Sequence, residues 1–201
     1  MKIFEDIELI DHTMANCYHI ELNGIDILID AGTKKSGRRI IEYFNRINKK
    51  PEIVLITHFH MDHIGGLNEI YEEFKPDIYV PMLEVKIING TERPHARNLV
   101  QKLLYSMAPV NHISSIKPVY NMKINDLEYY DTSGHTVGST SYFLIPKNII
   151  FSGDAIINKN GSPDVNKTFT WNIEDAQNSI KRIMDMKPSL ILPGHGKPLK
   201  F

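Results

Sequence analysis

The run Thr57-His58-Phe59-His60-Met61-Asp62-His63-Ile64-Gly65-Gly66 puts three imidazoles and a carboxylate within six residues. In extended backbone, side chains two residues apart point the same way, so His58 and His60 can grip one cation together. The turn that follows offers Asp62 and His63 to a second position close by. Such crowding is costly unless a cation sits among the groups, and imidazole with carboxylate is the donor set expected for zinc, or for iron or manganese. Gly65 and Gly66 have no side chain and let a helix begin close to the site.

Three further segments each hold a ligand-type residue in a glycine-rich turn beside an expected strand. Thr132-Ser133-Gly134-His135-Thr136-Val137-Gly138-Ser139 presents His135, Phe151-Ser152-Gly153-Asp154 presents Asp154, and Leu192-Pro193-Gly194-His195-Gly196 presents His195. Any one of them alone is a common polar turn. Together with the first segment they supply five histidines and two aspartates, enough for two metal ions.

The elements that must position these residues alternate short apolar strands with amphipathic helices. Ile25 to Ile29 reads as a strand ending in the turn Asp30-Ala31-Gly32, and Ile40, Ile41, Phe44 and Ile47 have helical spacing. Ile53 to Ile56 is an apolar run of the buried-strand type, and Leu67, Ile70, Tyr71 and Phe74 form the next helical stripe, stopped at Lys75-Pro76. Ile78 to Val80 is a further strand. Between about 81 and 116 a helical insertion is expected, with Leu99, Leu103 and Met107 as an ordinary core stripe. Tyr142 to Ile145 and Ile149 to Phe151 read as a hairpin about Pro146-Lys147-Asn148. Asn172 caps a helix whose buried stripe is Ile173, Ala176, Ile180 and Ile183, and Ser189 to Leu192 is the last strand. Sheets flanked by helices follow, an α/β (α+β) sandwich in one domain spanning 1–201.

Composition excludes several function classes. A formal net charge of −1 gives no electrostatic case for nucleic acid or an anionic membrane surface. No apolar run approaches the roughly 20 residues needed to span a bilayer, and Glu5 and Asp6 interrupt any signal-type start. The single cysteine, Cys17, can form no internal disulfide and lies outside every motif, which suits a core residue in a reducing, cytoplasmic compartment. His12, His19 and His112 have no motif around them and are expected to be surface or satisfied buried residues.

The pattern His-x-His-x-Asp-His followed by His, Asp and His resembles the metallo-β-lactamase superfamily, and the likeness runs from Asp30 to His195. The resemblance implies a four-layer αββα sandwich, two mixed β-sheets flanked by helices, with the site at one edge between the sheets. By motif position, His58, His60 and His135 match ligands of a first ion and Asp62, His63 and His195 those of a second, with Asp154 bridging. Asp30 matches an Asp-x-Gly turn that supports the ligands from behind, or is simply a turn aspartate. The cofactor expected is two zinc ions, with iron or manganese as alternatives.

The function this implies is a dinuclear hydrolase, in which a hydroxide shared by two ions attacks a small ester, thioester or lactone and Asp62 orients the water. The partner expected is a small-molecule substrate, with no nucleic acid and no membrane. His95, Arg97 and Tyr105 of the insertion are candidates to meet that substrate, each more readily explained as a solvent-facing residue. Lactonase-like members carry tyrosine where Ile157 stands, three residues after the bridging aspartate, which weakens the lactone reading. The competing expectation is a mononuclear iron-dependent sulfur (persulfide) dioxygenase of the same fold, separable by metal content and oxygen uptake. Oligomeric state is not legible from the chain.

Overall fold

The computed structural model describes residues 1–94, 96, 99–106, 111, 113 and 115–201. The chain opens with an antiparallel meander, β1 (Lys2–Phe4), β2 (Ile7–Leu9), β3 (Tyr18–Leu22) and β4 (Ile25–Ile29), and continues into helix α1 (Lys34–Arg46). Next come β5 (Ile53–Leu55), the single turn α2 (Met61–Ile64), α3 (Leu67–Phe74), β6 (Asp77–Val80), α4 (Val85–Ile88), α5 (Leu99–Ser106) and β7 (Ile116–Pro118). Strands β4 to β7 pair in parallel, completing a seven-stranded mixed sheet in sequence order.

The second half forms β8 (Leu127–Asp131), β9 (Thr140–Leu144), β10 (Ile149–Gly153), the small hairpin β11 (Ile157–Lys159) and β12 (Ser162–Asp164), helix α6 (Ile173–Asp185), β13 (Leu190–Pro193) and β14 (Leu199–Lys200). Its five-stranded sheet runs β14-β13-β10-β9-β8, with β10 and β13 parallel. The caps are chemical. Thr33 accepts from the Ser36 N–H at the start of α1, Asn172 accepts from Glu174 and Asp175 at the start of α6, and Lys75 (φ 53°) before Pro76 ends α3.

Strand alternation assigns the layers. Ile27, Ile29 and Leu55 share one apolar cluster with Tyr142, Ile149, Phe151, Leu190 and Leu192, so these faces of the two sheets pack on each other. The intervening Leu28 and Val54 join Ile40, Phe44, Leu67 and Ile70 of α1 and α3. On the far side, Ile150 and Ile191 meet Ile183 of α6. Helices, sheet, sheet and helix therefore stack as an αββα sandwich, the α+β architecture expected.

The helical stripe at 99–107 is a correction. Leu99 and Leu103 are 83% and 66% exposed, while the polar Gln101 is buried. Apolar spacing sets a helical face but not which face the fold covers. Met107 lies outside the described residues, as does His112. The span between β6 and β7 is a crossover joining two paired strands. At the other end, Ile173, the first residue of α6, is 39% exposed, whereas Ala176 and Ile183 are buried as expected.

Candidate metal centre

Each motif leaves the C-terminal end of a strand. Asp30 follows β4, the 57–63 segment follows β5, His135 lies between β8 and β9, Asp154 follows β10 and His195 follows β13. Because β4 runs parallel to β5 and β10 to β13, these ends gather at one rim of the sandwich. The sheets are laced there by Thr140 N–H to Thr57 O (2.9 Å) and Tyr142 Oη to Ile56 O (2.8 Å).

Two clusters result. His58 Nε2 and His135 Nε2 lie 3.1 and 3.0 Å from His60 Nδ1. Asp62 Oδ2 meets His195 Nε2 at 3.0 Å, with His63 completing a second group. Asp154 stands between them, its Oδ1 3.6 Å from His63 Nε2, its Oδ2 3.5 Å from His135 and 3.6 Å from His195. Gly194 permits this approach, for a Cβ there would fall 2.3 Å from Asp154 Oδ1 and 2.8 Å from His63 Cε1. All seven expected ligand residues are thus brought together.

Asp30 sits behind them. Buried and held at φ 60°, it accepts from His63 Nδ1 (2.7 Å), from Thr57 Oγ1 (2.8 Å) and from Thr57 N–H (2.8 Å). Thr57 Oγ1 lies in turn 3.0 Å from His58 Nδ1. With Nδ1 of His58 and His63 so engaged, Nε2 is the ring atom that each turns toward the clusters. Thr57 carries no signal of its own beyond its place in the motif. Another residue without one is Glu84, fully buried, whose Oε1 accepts from Thr136 Oγ1 and from Gly138 N–H (2.9 Å) while the Phe59 N–H faces the same carboxylate.

Electrostatics divide the clusters. Burial and the neighbouring imidazoles push His58 and His135 well below the ordinary histidine value and His60 down to about 3. Three neutral imidazoles therefore aim lone pairs at one point. Burial also opposes the charge of His63, but Asp30 and Asp154 outweigh it and hold His63 up at about 9. Burial would raise Asp62, yet the His195 hydrogen bond and nearby imidazoles keep it below the usual carboxylate range. His195 is raised by the same bond. His63 Nε2 and Asp154 Oδ1 are buried without a hydrogen-bond partner. Converging lone pairs and orphaned buried polar atoms are the condition a bound cation relieves, so the residues fit divalent metal.

A cavity of about 430 Å³ opens beside the clusters, lined by Met14, Phe59, Met61, Tyr105, Asn166 and Phe169 together with His60, Asp62, His135, Asp154 and His195. Tyr105 Oη lies 3.4 Å from His60 Nε2, so this insertion residue does reach the site. Ile157 opens β11 and is not among the lining residues. His95 and Arg97 lie outside the described residues. Met14, Asn166 and Phe169 were not singled out by any motif. A larger surface cleft, about 860 Å³, runs along α1 beside Lys35, Arg38, Arg39 and Arg46 and contains none of the clustered ligands. His19 is a satisfied buried histidine, bonded to Tyr43 and Asp26, and Cys17 is free and buried.

The model of the metallo-β-lactamase superfamily matches residues 10–195, and the chain belongs to that superfamily. It is 28% identical to the probable metallo-hydrolase YflN of Bacillus subtilis over 92% of this chain and 82% of that protein. It is 30% identical to a hydroxyacylglutathione hydrolase of Buchnera aphidicola, covering 83% of this chain and 55% of that one. Among solved structures, TTHA1623 in a di-iron-bound form superposes with a TM-score of 0.76 at 21% identity, covering 96% of this chain and 93% of its own. Among the described residues, no helix is long and apolar enough to cross a membrane.

Proposed function

We propose that this chain is a hydrolase of small esters, thioesters or lactones that works with two divalent metal ions, zinc in the first instance. The observation that supports it is the pair of His/Asp clusters joined by Asp154, one of neutral imidazoles and one ion-paired. In this reading His58, His60 and His135 hold one ion, Asp62, His63 and His195 the other, and Asp154 touches both. Ions there would supply Lewis acidity and bring the pKa of a water close to neutrality.

The chain's own groups do the rest. Asp30 and Thr57 fix the imidazoles of His58 and His63 with Nε2 forward. Asp62, kept ionised beside His195, orients the attacking water. The apolar walls of the cavity exclude bulk water and strengthen every charge interaction inside. The names of the relatives, a probable metallo-hydrolase and a hydroxyacylglutathione hydrolase, support hydrolysis. The di-iron neighbour keeps iron as an alternative occupant. We assign the reaction to the cytoplasm, on a small molecule, with no nucleic-acid or membrane partner.

The test is metal content per chain on protein purified without added metal, with an ester, thioester and lactone panel. Two zincs and turnover that falls at least about a hundredfold in His60→Ala are expected. One iron, no hydrolysis and oxygen uptake with a persulfide would replace this reading with the mononuclear dioxygenase.

A further inference from the structure

The cavity beside the clusters is built from two kinds of wall. One is the candidate ligand set itself, His60, Asp62, His135, Asp154 and His195. The other is Met14, Phe59, Met61, Phe169 and Tyr105, with Asn166 as a single amide among them. Among the described residues that line it, none is a lysine or arginine. Its carboxylates belong to the clusters and His195 is already ion-paired with Asp62, so an anionic arm lying along the described apolar wall would meet no lysine or arginine. Tyr105 adds a hydroxyl to the lining, a hydrogen-bonding group without charge.

The apolar wall is held in place rather than draped. Asn166 O accepts from the Phe169 N–H (3.2 Å), the Thr170 N–H (2.9 Å) and Thr170 Oγ1 (2.7 Å). Asn166 Oδ1 accepts from the Thr168 N–H (3.3 Å). The same loop is then tied to the ligand-bearing turn, Trp171 N–H to His135 O (2.9 Å) and Asn172 N–H to Gly134 O (2.8 Å). Phe59 lies between His58 and His60 in the chain and is buried at the base, with its ring 5.2 Å from that of Tyr105. The Phe59 and Phe169 part of the wall is therefore fixed to the backbone that carries the clusters and stands ready for a ligand.

We propose that this cavity is an acyl pocket, and that the substrate is an ester, thioester or lactone with an uncharged, apolar acyl arm of medium length. The arm lies against Phe59, Met61 and Phe169, and passes Met14 at the rim, where that side chain is 70% exposed. Tyr105 and Asn166 are the donors available to its polar atoms. The inference rests on the hydrolase reading for the reaction but not for the pocket.

Two experiments separate them. In metal-stripped protein, octanamide should displace the neutral dye Nile red at least about tenfold better than acetamide, because each buried methylene contributes roughly a three- to fourfold gain. Succinamate, an anion, should displace it no better than acetamide. With loaded protein, kcat/KM should climb about tenfold or more from acetyl to hexanoyl esters, and succinyl esters should fall below butyryl esters. Phe169→Ala should flatten the chain-length dependence in both assays. Met14→Lys, at an exposed position that folding tolerates, should narrow the gap between succinyl and butyryl. Octanamide binding no better than acetamide, or a preference for the anions, overturns the acyl pocket. Tight octanamide binding with no hydrolysis of any ester leaves the pocket standing and sinks the hydrolase.

Discussion

Asp30 Oδ2 receives the Nδ1 proton of His63 at 2.7 Å, and the same oxygen receives the hydroxyl of Thr57, which itself contacts His58. One buried carboxylate thus orients an imidazole from each cluster. Asp30→Ala would strand His63 Nδ1 and both Thr57 donors, each worth about 1–3 kcal/mol when buried and unsatisfied. The expected outcome is a marked loss of thermal stability together with a 10- to 100-fold loss of metal affinity, read by chelator competition. Unchanged affinity in a folded variant would reduce Asp30 to a turn residue.

Gly194 makes a separable prediction. A methyl group there would collide with Asp154 Oδ1 and His63 Cε1, on the side of the second cluster. Gly194→Ala should therefore drop metal content from two ions toward one, with far-ultraviolet circular dichroism unchanged. Retention of both ions would show that this loop has more room than the structure gives it.

Glu84 gives a pH signature from a residue outside the ligand set. Burial raises its carboxyl to about 7, against the lowering pull of Thr136, Gly138 and Phe59. A carboxyl raised on folding binds more protons in the folded than in the unfolded state. Its favourable contribution is therefore complete below the unfolded value, near 4.5, and is lost as pH rises through about 7. The swing is of the order of 3 kcal/mol at most. Glu84→Gln keeps an acceptor for Thr136 and Gly138 and removes the titration. Urea melts between pH 4.5 and 8 should show a flatter slope in the variant, and identical slopes would sink the assignment.

His63 carries a proton in the metal-free protein, its value held up at about 9 although burial alone would lower it. On this account metal-free stability is fullest below about 6.5 and declines as pH rises through 9. An ion taken at Nε2 must displace that proton. Calorimetric titration of the stripped protein with zinc, in buffers of different ionisation heat, should report about one proton released with the second ion near pH 7. No buffer dependence would place the ion elsewhere.

Much of this architecture is legible in the sequence. The ligand residues announce themselves by type and turn context, and the unbroken apolar runs Ile53–Ile56 and Ile149–Phe151 mark strands covered on both faces. Strands of three residues such as β1, β2 and β7 are too short to show a period. The outward turn of Leu99 and Leu103 shows that spacing without a packing partner does not choose a face. Glu84 and Thr136 are 52 residues apart, and Phe169 reaches the cavity only through a loop bonded to His135, so no local pattern could reveal either.

The clustered groups follow strands of both sheets, from His58 after β5 to His195 after β13. No continuous stretch of the chain holds a full set, and the second group lacks His195 until the penultimate strand is laid down. During synthesis from the N-terminus, the full donor set for a cation is therefore complete only once strands of both sheets are in place, so a metal held there would belong to the late steps of assembly and not to its nucleation.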